Sequence, residues 1–134
     1  MDKHIKHMLE LAYTAMQNAY APYSKLKVGA CFRTKSDKYF AGTNVENASY
    51  GETLCAEASA TANMITAGEK FITDVVIIST SPRPCPPCGA CRQKIAEFSE
   101  ENTQVHIFDQ QKELIATYSV TELLPHSFDS TNLE

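Results

Sequence analysis

The chain has no run of Lys or Arg: 12 basic residues are scattered among 16 acidic ones, for a formal net charge of −4. A surface that holds a polynucleotide needs a concentrated basic face, so this composition points to a small substrate and away from DNA or RNA. Long apolar runs are missing too. The strongest, "VVII" at 75–78, is far short of the roughly 20 residues that span a bilayer. The start, "MDKHIKHMLEL", carries charge where a secretory signal would need an apolar core. These absences predict a cytoplasmic protein with no membrane partner. In that compartment the five cysteines read as metal ligands or spare thiols rather than disulfides. No internal repeat, low-complexity tract or linker divides the sequence, so its 134 residues predict a single domain over 1–134 with one core.

Ile5, Met8, Leu9, Ala12 and Met16 recur at helical spacing, and that helix has to end before Pro22. "VGACFRT" and "KYFAGTN" flank the polar "KSDK" as a hairpin. "CAEASATANMITAG" predicts a helix that closes on Gly68. "DVVIIST" has the short continuous apolar run of a buried central strand. "CRQKIAEF" predicts another helix. "QVHIFD" and "ELIATYS" predict two strands joined too closely to run parallel, and Thr121 is the expected cap of a short final helix. The order α-β-β-α-β-α-β-β-α predicts an α/β fold, a three-layer α/β/α sandwich around a mixed sheet of about five strands.

"PCPPCGAC" at 84–91 sets Cys85, Cys88 and Cys91 at steps of three. Cys88 and Cys91 fall where a loop enters a helix. Both sulfurs therefore face the free N–H groups of its first turn, where the helix dipole favours thiolate. Alone, the pair fits a zinc site, a redox pair or half of an iron–sulfur site. Upstream, Cys55 opens the other alanine-rich helix. In a layered α/β fold two helices can start side by side at one end of the sheet. Three thiolates then meet at one ion with a vacant fourth position, the arrangement of catalytic zinc. Glu57 lies two residues beyond Cys55, so its carboxylate falls near the vacancy, where it can accept a proton from a bound water. A closed structural zinc site needs a fourth ligand, and neither His106 nor His126 has the spacing to supply one.

Taken together, "YAPYS", "VGA", "NVENASY", "CAE", "PCGACRQ" and "ELLPHSF" resemble the zinc-dependent cytidine deaminases of the short, single-domain type. The "CAE" and "PCGAC" stretches match the known ligand-x-Glu and P-C-x-x-C signature of zinc deaminases at large. The resemblance implies a zinc ion held by Cys55, Cys88 and Cys91, with Glu57 as the catalytic proton shuttle. It implies substrate contacts from Asn44 and Glu46 to the ribose hydroxyls and from Ala56 and Leu26 around the pyrimidine. The backbone carbonyl of Pro86 is implied to meet the leaving ammonia. Phe128 is implied to reach a neighbour's pocket in a homotetramer with shared active sites. The implied reaction is hydrolytic deamination of cytidine and deoxycytidine in pyrimidine salvage.

The sequence departs from that family in two places. Leu26 stands where an aromatic is usual, and Ala58 stands where the family usually has an arginine that faces the thiolates. Arg92, directly after Cys91, is the expected replacement for that charge. Cys31 and Cys85 read as a buried small hydrophobe and a spare loop thiol. Position 95 is Ile, where a ferredoxin-like cluster would want a further cysteine. Two other functions fit parts of the pattern. One is a deaminase of a modified cytosine nucleoside such as a nucleoside antibiotic, against which the intact "NVEN" argues. The other is a zinc-binding scaffold without catalysis, which would have no use for Glu57.

Overall fold

A computed structural model describes residues 1–134. Helix α1 runs over Lys3–Gln17, started by Asp2, whose side chain accepts a hydrogen bond from the His4 N–H at 2.7 Å. Strands β1 (Val28–Thr34) and β2 (Tyr39–Thr43) form the expected hairpin, and α2 covers Ala56–Thr66. Strand β3 (Ile72–Ser79) leads through the cysteine loop to α3 (Gly89–Glu97). Strands β4 (Ser99–Phe108) and β5 (Leu114–Ser119) and a one-turn α4 (Val120–Leu123) complete the order. The five strands form one sheet in the order β2-β1-β3-β4-β5. Only β3 and β4 pair in parallel, and β4–β5 is antiparallel, as their short connection requires.

Why the sheet is covered on both sides is visible in β3. Successive side chains of a strand point to opposite faces. Val75 and Ile77 therefore pack with Ala56, Ala60 and Met64 of α2 and Ile95 of α3. Val76 and Ile78 pack on the other face with Met8, Leu9, Ala12 and Met16 of α1. All four β3 residues are fully buried, which is why the run is apolar without alternation. Cys31 lies in the α1 layer, completely buried, as a small hydrophobe does.

Among the boundaries that differ from the sequence expectation, two have a visible cause. The last helix is capped by Ser119, not Thr121. Ser119 and Glu122 form a reciprocal capping box, which satisfies two backbone donors where Thr121 would satisfy one. Strand β4 begins at Ser99 rather than at Gln104. Its polar start is held by Thr103, whose buried hydroxyl donates to the Ile72 carbonyl at 2.6 Å.

The seat of α2 is set by a close backbone approach. In β2, Gly42 faces the helix so tightly that an added Cβ would stand 2.3 Å from the Ala60 nitrogen and 2.5 Å from the Ala56 carbonyl oxygen. No side chain fits there. At the far end Ala67 caps α2 and Gly68 follows with φ of +87°, the left-handed turn that glycine allows without strain. Gly42→Ala is expected to push α2 off the sheet and to cost about 1–3 kcal/mol of stability or more, the range for overpacking a full core. Denaturant unfolding of the variant checks this. An unchanged midpoint would show that α2 can move away at no cost.

Candidate metal centre and active site

The starts of α2 and α3 meet over one cavity. Cys55 is the N-cap of α2 and Cys88 the N-cap of α3, both with extended backbone. The Cys55 sulfur accepts a hydrogen bond from the Ala58 N–H at 3.3 Å, so it already serves one of the donors that a helix start leaves free. Cys91, in the first turn of α3, is buried, and its Sγ lies 2.7 Å from that of Cys55. Both thiols are free, and the separation exceeds the roughly 2.05 Å of a disulfide. Glu57, in the first turn of α2, is only 4% exposed. One carboxylate oxygen of Glu57 and the sulfurs of Cys55 and Cys91 all lie within 4.8 Å of one another.

The electrostatics of this trio follow from crowding. Burial pushes the Glu57 carboxyl up to about 7, and negative charge on Cys55 adds to the effect. The hydrogen bond from the Cys91 thiol holds Cys55 down at about 6 against the cost of burial, and the Ala58 N–H helps. Cys91, which keeps its proton in that bond, is pushed up. The trio thus gathers a thiolate on Cys55 and a partly ionised carboxylate on Glu57 in one buried spot. A dication is the natural partner for such a set, and sulfur with a single carboxylate is a donor set that zinc accepts.

The other expected site residues fall into three places. Cys88 is exposed at the rim. It lines the same cavity of about 160 Å³ as Cys55, Glu57 and Cys91, but its sulfur lies outside their tight group. Ala56 and Pro86 line that cavity, and so does Cys85, half-buried, with its thiol pushed up by burial. Cys85 is therefore not remote from the site. The signal was in the sequence: three cysteines at steps of three put all of them on one short loop and helix start.

Asn44 also borders the cavity, but its side chain is occupied. Its Oδ1 accepts from the Val28 N–H at 2.9 Å and its Nδ2 donates to the Leu26 carbonyl at 2.8 Å. Leu26 touches the site through this bond and is itself half-buried. Glu46 lines an adjoining cleft of about 280 Å³ with Tyr23, Ser24, Tyr50 and Thr53. Its carboxylate accepts from the Ser24 hydroxyl and from the N–H groups of Tyr23 (3.0 Å) and Ser24 (3.1 Å), which holds it below the usual carboxylate range.

Two residues lie elsewhere. Phe128 is exposed on the outer side of α3, where its carbonyl accepts from Gln93 Nε2 at 2.9 Å, away from the cysteine cavity. Arg92, expected to balance the charge of the sulfurs, is held by two backbone carbonyls. Its Nε donates to the Pro87 carbonyl at 2.8 Å and its Nη1 to the Leu123 carbonyl at 2.7 Å. The guanidinium fork thus ties the cysteine loop to the last helix. Two backbone oxygens within its reach decide its direction, and sequence adjacency to Cys91 does not.

The family model for the cytidine and deoxycytidylate deaminase zinc-binding region matches residues 2–107. Cytidine deaminase of Halalkalibacterium halodurans is 37% identical over 126 residues, covering 94% of this chain and 95% of that protein. That of Mycoplasma pneumoniae is 41% identical over 117 residues, covering 86% of each. The crystal structure of cytidine deaminase from Burkholderia pseudomallei superposes with a TM-score of 0.86 at 38% identity, covering 96% of this chain and all of that one. The match spans both helix starts and the buried glutamate between them, and the chain belongs to the cytidine and deoxycytidylate deaminase zinc-binding family.

Proposed function

We propose that this protein is a zinc-dependent cytidine deaminase, converting cytidine and deoxycytidine with water to uridine and deoxyuridine plus ammonia. The observation that carries this reading is the buried carboxylate of Glu57, packed within 4.8 Å of two cysteine sulfurs where two helices begin. A stability-driven fold has no reason to bury an unpaired carboxylate there. Cys55 and Cys91, with Cys88 from the rim of the same cavity, would hold the zinc ion. When bound, zinc supplies the Lewis acidity that makes water a usable nucleophile at neutral pH.

The remaining work falls to the chain. Glu57, with its carboxyl raised to about 7, is poised near the pH at which an acid–base group must both take and give a proton. It takes one proton of the attacking water and delivers it to N3 of the cytosine ring, where it stays in the product, so that C4 becomes electrophilic. It then takes the second proton, from the new hydroxyl on C4, and gives it to the amino group, which leaves as ammonia while C4 keeps the oxygen as a carbonyl. The Pro86 carbonyl, at the wall of the cavity, is the acceptor for the ammonia formed. The Ala56 backbone closes the pyrimidine side. On the sugar side Glu46 offers an ionised carboxylate in a cleft walled by Tyr23 and Tyr50. Asn44 holds the Leu26–Val28 backbone at the mouth. Phe128 lies too far out to serve its own cavity, which supports a homotetramer in which it completes a neighbour's. We assign the enzyme to pyrimidine salvage in the cytoplasm, acting as a single domain.

Glu57→Gln is expected to retain zinc and fold while losing at least about 10²-fold in turnover, since an amide fills the same space but cannot carry a proton. Loss of cytosine absorbance in a scan of nucleosides, with zinc measured on the same sample, is the test. A tenth of wild-type activity left in the variant would remove Glu57 from the reaction. Replacing Cys55, Cys88 or Cys91 singly with Ser is expected to strip the zinc, and Cys85→Ser to leave about one ion per chain. Full zinc in Cys88→Ser would leave Cys55, Glu57 and Cys91 as the donor set.

A further inference from the structure

The sulfur cluster carries negative charge, and Arg92 is engaged by the Pro87 and Leu123 carbonyls. Another cation is close at hand. Lys94 stands one helical turn beyond Cys91, so the two share a face of α3. It borders a cavity of about 340 Å³ together with Cys55, Cys88, Cys91 and Ala58. Ala58 matters because it presents only a methyl group from α2. The gap between the two helices therefore stays open, and Lys94 and the three cysteines border it together. Lys94 takes part in no ion pair of the fold. Glu97, one turn further on, lines an outer groove with Lys94 but lies beyond ion-pair distance. Lys94 also has no hydrogen-bond partner, so its charge is not spent on another group.

We propose that Lys94 is a positioning residue for the metal centre: its ammonium supplies, from α3, the positive charge that balances the three sulfurs of Cys55, Cys88 and Cys91. The inference rests on the three-cysteine reading above. Zinc with three thiolates has a formal charge of −1. A cation facing that charge in a partly enclosed gap is attracted more strongly than it would be in open water.

The test measures metal retention rather than turnover. Zinc release into excess chromogenic chelator is followed at pH 5.5 and low ionic strength. In acid, release exchanges one dication for three protons and leaves the site one charge more positive, so a facing cation slows it. Lys94→Ala is expected to release zinc about threefold to tenfold faster than the wild type, and Lys94→Arg at the wild-type rate. Placing the charge on the opposite helix, in an Ala58→Lys, Lys94→Ala double variant, is expected to restore slow release. Near 1 M salt, where the Debye length is about 3 Å, the difference between wild type and Lys94→Ala is expected to shrink. Lys94 is exposed, so thermal unfolding of the metal-free variants should match the wild type, and a merely structural role would not respond to relocated charge or to salt. Equal release rates for wild type and Lys94→Ala would overturn the proposal, as would faster release in Lys94→Ala that neither arginine nor salt affects. Zinc content of the wild type is measured first. A wild type without zinc would sink the deaminase reading itself, whereas a zinc-loaded wild type indifferent to Lys94 would sink only this one.

Discussion

Each α-helix begins with backbone N–H groups that no carbonyl within the helix can reach. In this protein two such starts border one cavity, and the side chains placed there are Cys55 and Cys88 as caps, with Glu57 and Cys91 in the first turns. The free N–H groups and the positive ends of both helix dipoles make the spot hospitable to negative charge. These donors offset part of the cost of burying a carboxylate beside sulfur, although burial still pushes the Glu57 carboxyl up to about 7. Without them, Glu57 would be a charged group without compensation in the core of the sheet layer, a placement that proteins avoid.

Everything else that matters for function serves to keep those two starts together. The parallel pair β3–β4 puts α3 on the same face of the sheet as α2, and the cysteine loop leaves β3 at the end where α2 begins. Arg92 binds that loop to the C-terminal helix through the Pro87 and Leu123 carbonyls. Asn44 fastens the segment before β1 to the segment after β2, so the near wall of the cavity is one bonded unit. A substrate pocket is thus assembled from loops whose positions are each fixed by a side chain binding a backbone group.

Local chemistry was legible in the sequence, and long-range direction was not. The spacing of Ile5, Met8, Leu9, Ala12 and Met16 identifies α1 and its buried stripe correctly, because a helix imposes that period on any side chain it buries. The apolar run of β3, the antiparallel closing strands and the glycine after α2 follow for equally local reasons. Meeting of Cys55, Glu57 and Cys91 was readable because each lies within the first turn of its helix, where sequence position fixes direction. The partners of Arg92 were not legible, because a long flexible side chain goes where acceptors are, and its acceptors are contributed by a loop and by a helix 31 residues later in the chain. The choice of Ser119 over Thr121 was available locally, since Ser119 and Glu122 have the capping-box spacing. Lys94 shares its helix face with Cys91 by the same arithmetic, but only the structure shows that Ala58 leaves the gap opposite it open.

The contact between Gly42 and α2 has a counterpart on the other face of the sheet. A Cβ added at Gly29 of β1 would stand 1.9 Å from the Ala12 carbonyl oxygen of α1. Around these two points the layers are filled by side chains, Met8, Leu9 and Met16 on one face and Phe32, Met64 and Ile95 on the other, which can rearrange around a substitution. Drift over evolutionary time should therefore spare Gly29 and Gly42 and accumulate in the packing around them. Each helix layer hangs on the β1–β2 hairpin by one glycine, so the hairpin is the part of the sheet least free to change.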